Sequence, residues 1–162
     1  MSGRVWKFGD DVNTDVLAPG IYIKLPIEDL ASHCLEAVEP SFASSVSHGD
    51  IVVGGRNFGM GSSREQAAQV LKVLGISAVI APSFGGIFYR NAFNLGLPAI
   101  VSEAIDQIDA DHDLEVNLRS GMIKNNTTGA KLVGESVPEN LMVLIDAGGL
   151  VPFLENKFDE DR

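Results

Sequence analysis

The sequence predicts an α/β fold organised on a parallel βαβαβ layer, and three observations carry that prediction. Short, continuously apolar runs recur at Ile51-Val52-Val53, Ala78-Val79-Ile80-Ala81 and Pro98-Ala99-Ile100-Val101. Such runs suit strands buried on both faces. Between them lie two helical segments. In the first, Ala67, Val70, Leu71 and Leu74 fall at i, i+3, i+4 and i+7; the second runs from Ile87 to Leu95. Each is followed by a glycine, Gly75 or Gly96, the residue that most easily takes the left-handed turn ending a helix. Strand, helix, strand, helix, strand at this spacing implies parallel strands joined by crossovers.

The elements outside this layer can be taken in chain order. Arg4-Val5-Trp6-Lys7-Phe8 alternates and reads as a short strand, ended by Gly9-Asp10-Asp11. Asp11-Val12-Asn13-Thr14-Asp15 is polar and turn-prone, either a solvated turn or part of a site. Ile21-Tyr22-Ile23-Lys24-Leu25 fits a strand or an exposed loop. Pro26 opens a helix as its first residue, with Glu28 and Asp29 in the first turn. Ser47-His48-Gly49-Asp50 is a turn. His33 and His48 have no second ligand at metal spacing and read as surface residues. After the layer, Leu114-Glu115-Val116-Asn117-Leu118 alternates, Ser120-Gly121 turns and Met122-Ile123-Lys124 returns, which predicts a β-hairpin. Pro138-Glu139 starts a helix stopped by Gly148-Gly149. One domain over 1–162 is expected, with 155–162 as a frayed tail.

Composition limits the functional classes. The 162 residues carry Asp+Glu 22 against Lys+Arg 12, a formal net charge of −10, which argues against a nucleic-acid partner. No apolar run approaches the roughly 20 residues of a membrane span, and Met1 to Lys7 lacks the apolar core of a signal peptide. The expectation is a soluble, cytoplasmic protein without a membrane or nucleic-acid partner. Cys34 is the only cysteine, so this chain cannot supply the several thiolates of an iron–sulfur cluster, and no metal site is expected within it.

The candidate site is the stretch Gly54-Gly55-Arg56-Asn57-Phe58-Gly59-Met60-Gly61-Ser62-Ser63-Arg64-Glu65-Gln66, between a buried strand and a helix. Free backbone N–H groups and the helix dipole favour anions at such a junction. The stretch fails the Walker A pattern, because Met60 stands where lysine is needed. It fails the dinucleotide pattern as well, because Arg64 stands where the third glycine belongs. Ser62-x-x-Glu65 and Ser63-x-x-Gln66 are both capping-box registers, so one serine has a structural reading. An arginine in the first helical turn opposes the dipole, and its planar fork suits a carboxylate. A structural cap and an anion site both remain open from these residues alone.

Gly55-Arg56-Asn57-Phe58-Gly59-Met60-Gly61-Ser62-Ser63-Arg64-Glu65-Gln66-Ala67 resembles the active-site signature of the aconitase superfamily's swivelling domain. More narrowly, it resembles the stand-alone small subunits of 3-isopropylmalate dehydratase and homoaconitase. Asn13-Thr14-Asp15 with Pro19, Phe84 to Asn91 and Asn94 to Pro98 extend the resemblance over residues 1 to 155. It implies a swivelling β/β/α domain and a hydro-lyase that isomerises hydroxy-acids by removing and re-adding water. It further implies a 4Fe-4S cluster held by a larger partner subunit, to which hydroxide departs.

By that resemblance Ser62 is the base and Asp15 belongs to the acid–base network. Arg64, Ser63, Thr14 and Lys24 contact a small hydroxy-di- or tricarboxylate, Lys24 from the family's substrate-discriminating loop. The implied activity is 3-isopropylmalate dehydratase of leucine biosynthesis, with homoaconitase or 2,3-dimethylmalate dehydratase as alternatives within the class. An anion-binding module without catalysis is the alternative outside it. Gln66 and Met60 replace the histidine and cysteine common in the family.

Overall fold

The structure is a computed structural model and describes residues 1–161. Seven strands form one curled sheet: β1 (Ser2–Lys7), β2 (Ile51–Val53), β3 (Ala78–Ala81), β4 (Ala99–Val101), β5 (Asp113–Val116), β6 (Met122–Asn125) and β7 (Lys131–Val133). Their spatial order is β4-β3-β2-β1-β5-β6-β7. The first four are parallel, with Val5 opposite Ile51, Ile51 opposite Ala78 and Val79 opposite Ala99. From β1 onward the sheet is antiparallel, with Gly3 opposite Leu114 and Ile123 opposite Leu132. The two ends of the sheet approach each other. Ser102 Oγ donates to the Val133 carbonyl at 2.8 Å and Glu135 N donates to the Val101 carbonyl at 2.8 Å. Those two bonds occupy part of the backbone that an open edge would expose.

The helices are α1 (Thr14–Leu17), α2 (Ile27–Ala31), α3 (Phe42–Ser45), α4 (Gln66–Val73), α5 (Gly86–Asn94), α6 (Glu139–Ala147) and α7 (Leu150–Glu160). α1 and α2 pack on α4, α4 packs on α5, and α5 meets α6 and α7. Every residue of β2 and β3 is buried, as parallel strands covered on both faces require. β5 and β6 instead alternate exposed and buried residues. The parallel layer and the hairpin are therefore as the sequence predicts.

Ile21 to Leu25 takes the loop alternative of the sequence reading: Gly20–Tyr22 makes a 3₁₀ turn and the rest continues as turns. Three features differ from that reading. Pro26 precedes α2 as its N-cap rather than serving as its first residue. The hairpin gains a third strand, β7. Finally, α7 runs through Glu160 across most of the stretch expected to fray, and residue 162 of that stretch lies outside the described residues. Gly148 and Gly149, at φ +89° and +131°, make the break between α6 and α7 in backbone conformations that side-chain-bearing residues avoid.

Candidate functional site

Three loops meet at the C-terminal ends of the parallel strands, the end of such a sheet where ligands bind. The loop after β2 is the glycine-rich stretch, and it lies between the other two. The loop after β1 is bonded to it repeatedly: Gly55 N to Gly9 O at 2.9 Å, Asp11 N to Arg56 O at 2.8 Å, Gly59 N to Val12 O at 2.7 Å and Thr14 N to Met60 O at 2.9 Å. Side chains reinforce the seam. Asp10 Oδ1 accepts from Arg56 N at 2.7 Å and Asp11 Oδ1 accepts from Asn57 Nδ2 at 2.9 Å. On the other side, the loop after β3 accepts Phe58 N on Ser83 O and Asn57 N on Ser83 Oγ, while Gly85 N donates to Phe58 O.

Phe58 pins this corner from below. It is fully buried and meets Phe88 edge-on at 5.4 Å and Phe84 at 6.0 Å between ring centroids. Burial of such a ring is worth roughly 1.5–3 kcal/mol. Its position also explains Gly54, where any Cβ would run into the Phe58 ring. The loop is thus a fixed support rather than a slack connection.

From that support the chain turns outward. Gly61, at φ +121°, packs so closely on Thr14 that a Cβ there would stand 2.9 Å from Thr14 Oγ1. Ser62 and Ser63 follow, both exposed. Arg64 N then bonds back to Ser62 O at 2.8 Å. The N–H groups of Gly61, Ser62 and Ser63 and both serine hydroxyls find no protein acceptor among the described residues. α4 begins only at Gln66, with Glu65 at its N-cap and no side-chain cap. The capping-box reading therefore fails for both serines, because the turn at Gly61 and the Arg64-to-Ser62 bond carry them away from the helix end. Arg64 likewise precedes the first turn of α4 rather than standing in it.

The Arg64 guanidinium crosses to the loop after β1. Nη1 donates to Asp15 Oδ1 at 2.8 Å and to the Ala18 carbonyl at 3.0 Å. Asp15 Oδ1 also accepts from Gly20 N at 2.9 Å. Asn13 caps α1 through its side chain and so fixes the short helix that carries Asp15. The Arg64 hydrogen bond, followed by that from Gly20 N, holds the Asp15 carboxyl below the usual aspartate range. A carboxylate held in that state anchors a cation and is a poor proton donor near neutral pH. Nη2 and Nε of Arg64 make no hydrogen bond among the described residues, which leaves one edge of the fork for a second carboxylate.

The structure thus brings Asp15, Thr14, Arg64 and the turn bearing Ser62 and Ser63 together. Thr14 is buried under the turn and works as part of its support. Lys24 is exposed and makes no ion pair among the described residues; its link to the site is through Gly20, four residues earlier in the same segment. The supporting groups Ala18 O, Gly20 N, Asp11, Asn57 and Ser83 were not identified from the sequence. Three are side chains in polar loops, where composition cannot tell partners from bystanders, and backbone donors and acceptors have no sequence signature. Beside the glycine turn lies a cleft of about 180 Å³ lined by Gly59, Met60, Gly61, Gly85, Gly86 and Ile87.

The donor set does not fit a metal centre. Among the described residues no three His, Cys, Asp or Glu side chains come together to hold a metal ion. Cys34 is fully buried, and burial pushes its thiol well above the ordinary range, away from the thiolate a cluster requires. No helix among the described residues is long and apolar enough to cross a membrane.

Residues 40–105 match the Aconitase C-terminal domain family. The chain is 49% identical to the isopropylmalate/citramalate isomerase small subunit of Methanocaldococcus jannaschii, covering 100% of this chain and 98% of that protein. It is also 49% identical to the methanogen homoaconitase small subunit of Methanothermobacter thermautotrophicus, over 92% of this chain and 87% of the other. A crystal structure described as 3-isopropylmalate dehydratase from M. jannaschii superposes with a TM-score of 0.93 at 40% identity, covering 99% of this chain and 96% of that one.

Proposed function

We propose that this chain, which belongs to the 3-isopropylmalate dehydratase small-subunit family of the aconitase superfamily, supplies one half of a hydro-lyase active site. The reaction is the interconversion of 2-isopropylmalate and 3-isopropylmalate by dehydration and rehydration, a step of leucine biosynthesis. The observation that carries the reading is the exposed Ser62 hydroxyl on the glycine turn, beside an arginine already oriented by a carboxylate.

In this reading Ser62 Oγ, as the alkoxide, takes the proton from the carbon next to a substrate carboxylate. A serine hydroxyl is far too weak an acid to ionise unaided, so the anion needs a positive setting. The free N–H groups of Gly61, Ser62 and Ser63 and the Arg64 cation supply one. The Nε–Nη2 edge of Arg64 takes the carboxylate side-on while Nη1 stays locked on Asp15 and Ala18 O. Ser63 contributes a further donor to the substrate, and Thr14 acts at the same site by supporting the turn. Asp15 acts chiefly by holding Arg64 in place.

A 4Fe-4S cluster would be held by a larger partner subunit and would supply the Lewis acid for the leaving hydroxide, since Cys34 is the only cysteine of this chain and cannot provide the several thiolates a cluster takes. The partner would close over the glycine turn. Exposed Met60 and Ile87 beside the cleft, and Ile21 at 85% exposure next to Gly20, are the kind of apolar surface that associating proteins cover. At a net charge of −10 this chain offers no basic face to nucleic acid, and we read the enzyme as cytoplasmic from its kinship with metabolic enzyme subunits.

Lys24, an exposed cation, keeps the charge an arginine would carry but lacks its planar fork, so the substituent beyond the two carboxylates is the point to test, with homoaconitase and 2,3-dimethylmalate dehydratase as the alternatives. A panel of 2-isopropylmalate, homocitrate and 2,3-dimethylmalate on the reconstituted pair decides between them. Turnover of 2-isopropylmalate above the other two is expected. Turnover of homocitrate alone would move the assignment to homoaconitase.

A further inference from the structure

The segment joining α1 to α2 folds back on itself beside the site. At one end Gly20 N is bonded to Asp15 Oδ1, and Gly20 lies so near the ion pair that a Cβ there would stand 3.1 Å from Arg64 Nη2. At the other end Leu35, in the left-handed conformation at φ +60°, donates from its N–H to the Val16 carbonyl at 3.1 Å. That bond draws residues 16 to 35 into a ring. A branched residue adopts such a conformation only where surrounding contacts hold it, so the ring closure is enforced.

Within the ring, the backbone bonds of the Gly20–Leu25 stretch are all local: Tyr22 N to Pro19 O, Ile23 N to Gly20 O and Leu25 N to Tyr22 O. They shape the stretch without tying it across to α2. Ile23 and Tyr22 both pack against the core, and an aromatic contact crosses the ring. The Tyr22 ring lies flat on the His33 imidazole, 3.7 Å between centroids and 11° from parallel. His33 is itself held, since its Nδ1 stands 2.8 Å from Glu36 Oε2. A carboxylate there makes Nδ1 the protonated nitrogen and fixes the ring plane on which Tyr22 rests.

We propose that His33 is a positioning residue for substrate selection: through its stack on Tyr22 it sets where Gly20–Leu25, and Lys24 with it, stands relative to Arg64. The inference rests on the reading of Arg64 and Lys24 as substrate contacts. His33 touches no reacting group and acts through Tyr22 alone. Losing the stack lets Lys24 wander from its place while Ser62, on the separate glycine turn, stays where it is. Substrate binding and discrimination suffer, and the chemical step does not.

The test compares His33→Ala with His33→Phe in the pair reconstituted with the cluster-bearing subunit. Steady-state kinetics are measured on 2-isopropylmalate and homocitrate, with amide hydrogen exchange followed at residues 21–25. His33→Ala is expected to raise KM about 3- to 10-fold, the scale of one aromatic pair, to change the kcat/KM ratio between the two acids, and to leave kcat within about twofold. Exchange at 21–25 quickens. His33→Phe, which keeps a flat ring under Tyr22, restores both. The proposal is overturned if KM, ratio and exchange stay at wild-type values in His33→Ala, if kcat falls while KM holds, or if His33→Phe fails to rescue. Should the wild-type pair turn over neither acid, the functional reading fails instead. Exchange then decides the tether by itself: quickened in Ala and restored in Phe supports it, and unchanged exchange refutes it.

Discussion

The two halves of the sheet use strands of similar length for different purposes. In the parallel half, β2 and β3 are buried on both faces and every crossover returns the chain to the same end. The loops after β1, β2 and β3 therefore collect at one place, and all the proposed site residues lie on the first two of them. In the antiparallel half, β5 to β7 show one face to solvent and successive turns fall at opposite ends. Its charges serve the fold: Arg119 pairs with Glu139 and Asp146, tying the hairpin turn to α6. Both halves bury a core, but only the parallel connectivity gathers chemistry at one end.

Substitutions can break this contrast, and the largest effect belongs to the parallel half. Ser62→Ala removes the proposed base, and a rate loss of about 10²- to 10⁴-fold is expected with assembly intact. Stopped-flow or steady-state assays on the reconstituted pair measure it; an unchanged rate would favour an anion-binding module. Next comes the core of the antiparallel half. Ile123→Ala, at a fully buried position of β6, should cost about 2–5 kcal/mol of stability in denaturant unfolding. The rate per folded molecule should hold, and a specific loss of kcat would show that the hairpin half takes part in catalysis.

Arg64→Lys keeps a charge but loses the fork that reaches Asp15, Ala18 O and substrate together. A fall in kcat/KM of about 10- to 100-fold is expected, the scale of one charge-assisted hydrogen bond. The next effect is on pH. Because Arg64 and Gly20 N lower the Asp15 midpoint in the folded chain, the stability it contributes is present above the unfolded-state value and fades as pH falls through the lowered one. Asp15→Asn should lack that acid-side component, and acid unfolding of the two proteins followed in parallel checks it. The smallest effect expected is that of Arg119→Ala. Its pairs are exposed and screened by solvent, so neither the unfolding midpoint nor the activity should move measurably.

The sequence and the structure agree where a pattern maps onto one physical requirement. Ile51 to Val53 and Ala78 to Ala81 were readable as buried parallel strands because unbroken apolar runs this short, alternating with helical segments that end in Gly75 and Gly96, suit strands covered on both faces. β7 was not, because Lys131-Leu132-Val133 is too short for alternation to show. Pro152 disguised α7, although proline is tolerated in a helix's first turn. The glycine corner was legible as a junction that could hold either a cap or an anion site, and the structure removes the cap. A capping-box spacing exists in sequence whether or not the backbone follows it, and the turn at Gly61 ensures that it does not. The Asp15–Arg64 pair spans 49 residues. No local pattern reports such a contact, so only the family resemblance placed the two residues in one site, and only the geometry showed that Asp15 holds Arg64.

The central claim, that the glycine corner is half of an active site, is tested most directly by assaying this chain alone, the cluster-bearing subunit alone, and the two mixed, on 2-isopropylmalate. The account predicts no turnover by either part and turnover by the mixture, saturating as this chain is titrated in. Turnover by this chain alone, or turnover by the larger subunit that this chain does not increase, would contradict it.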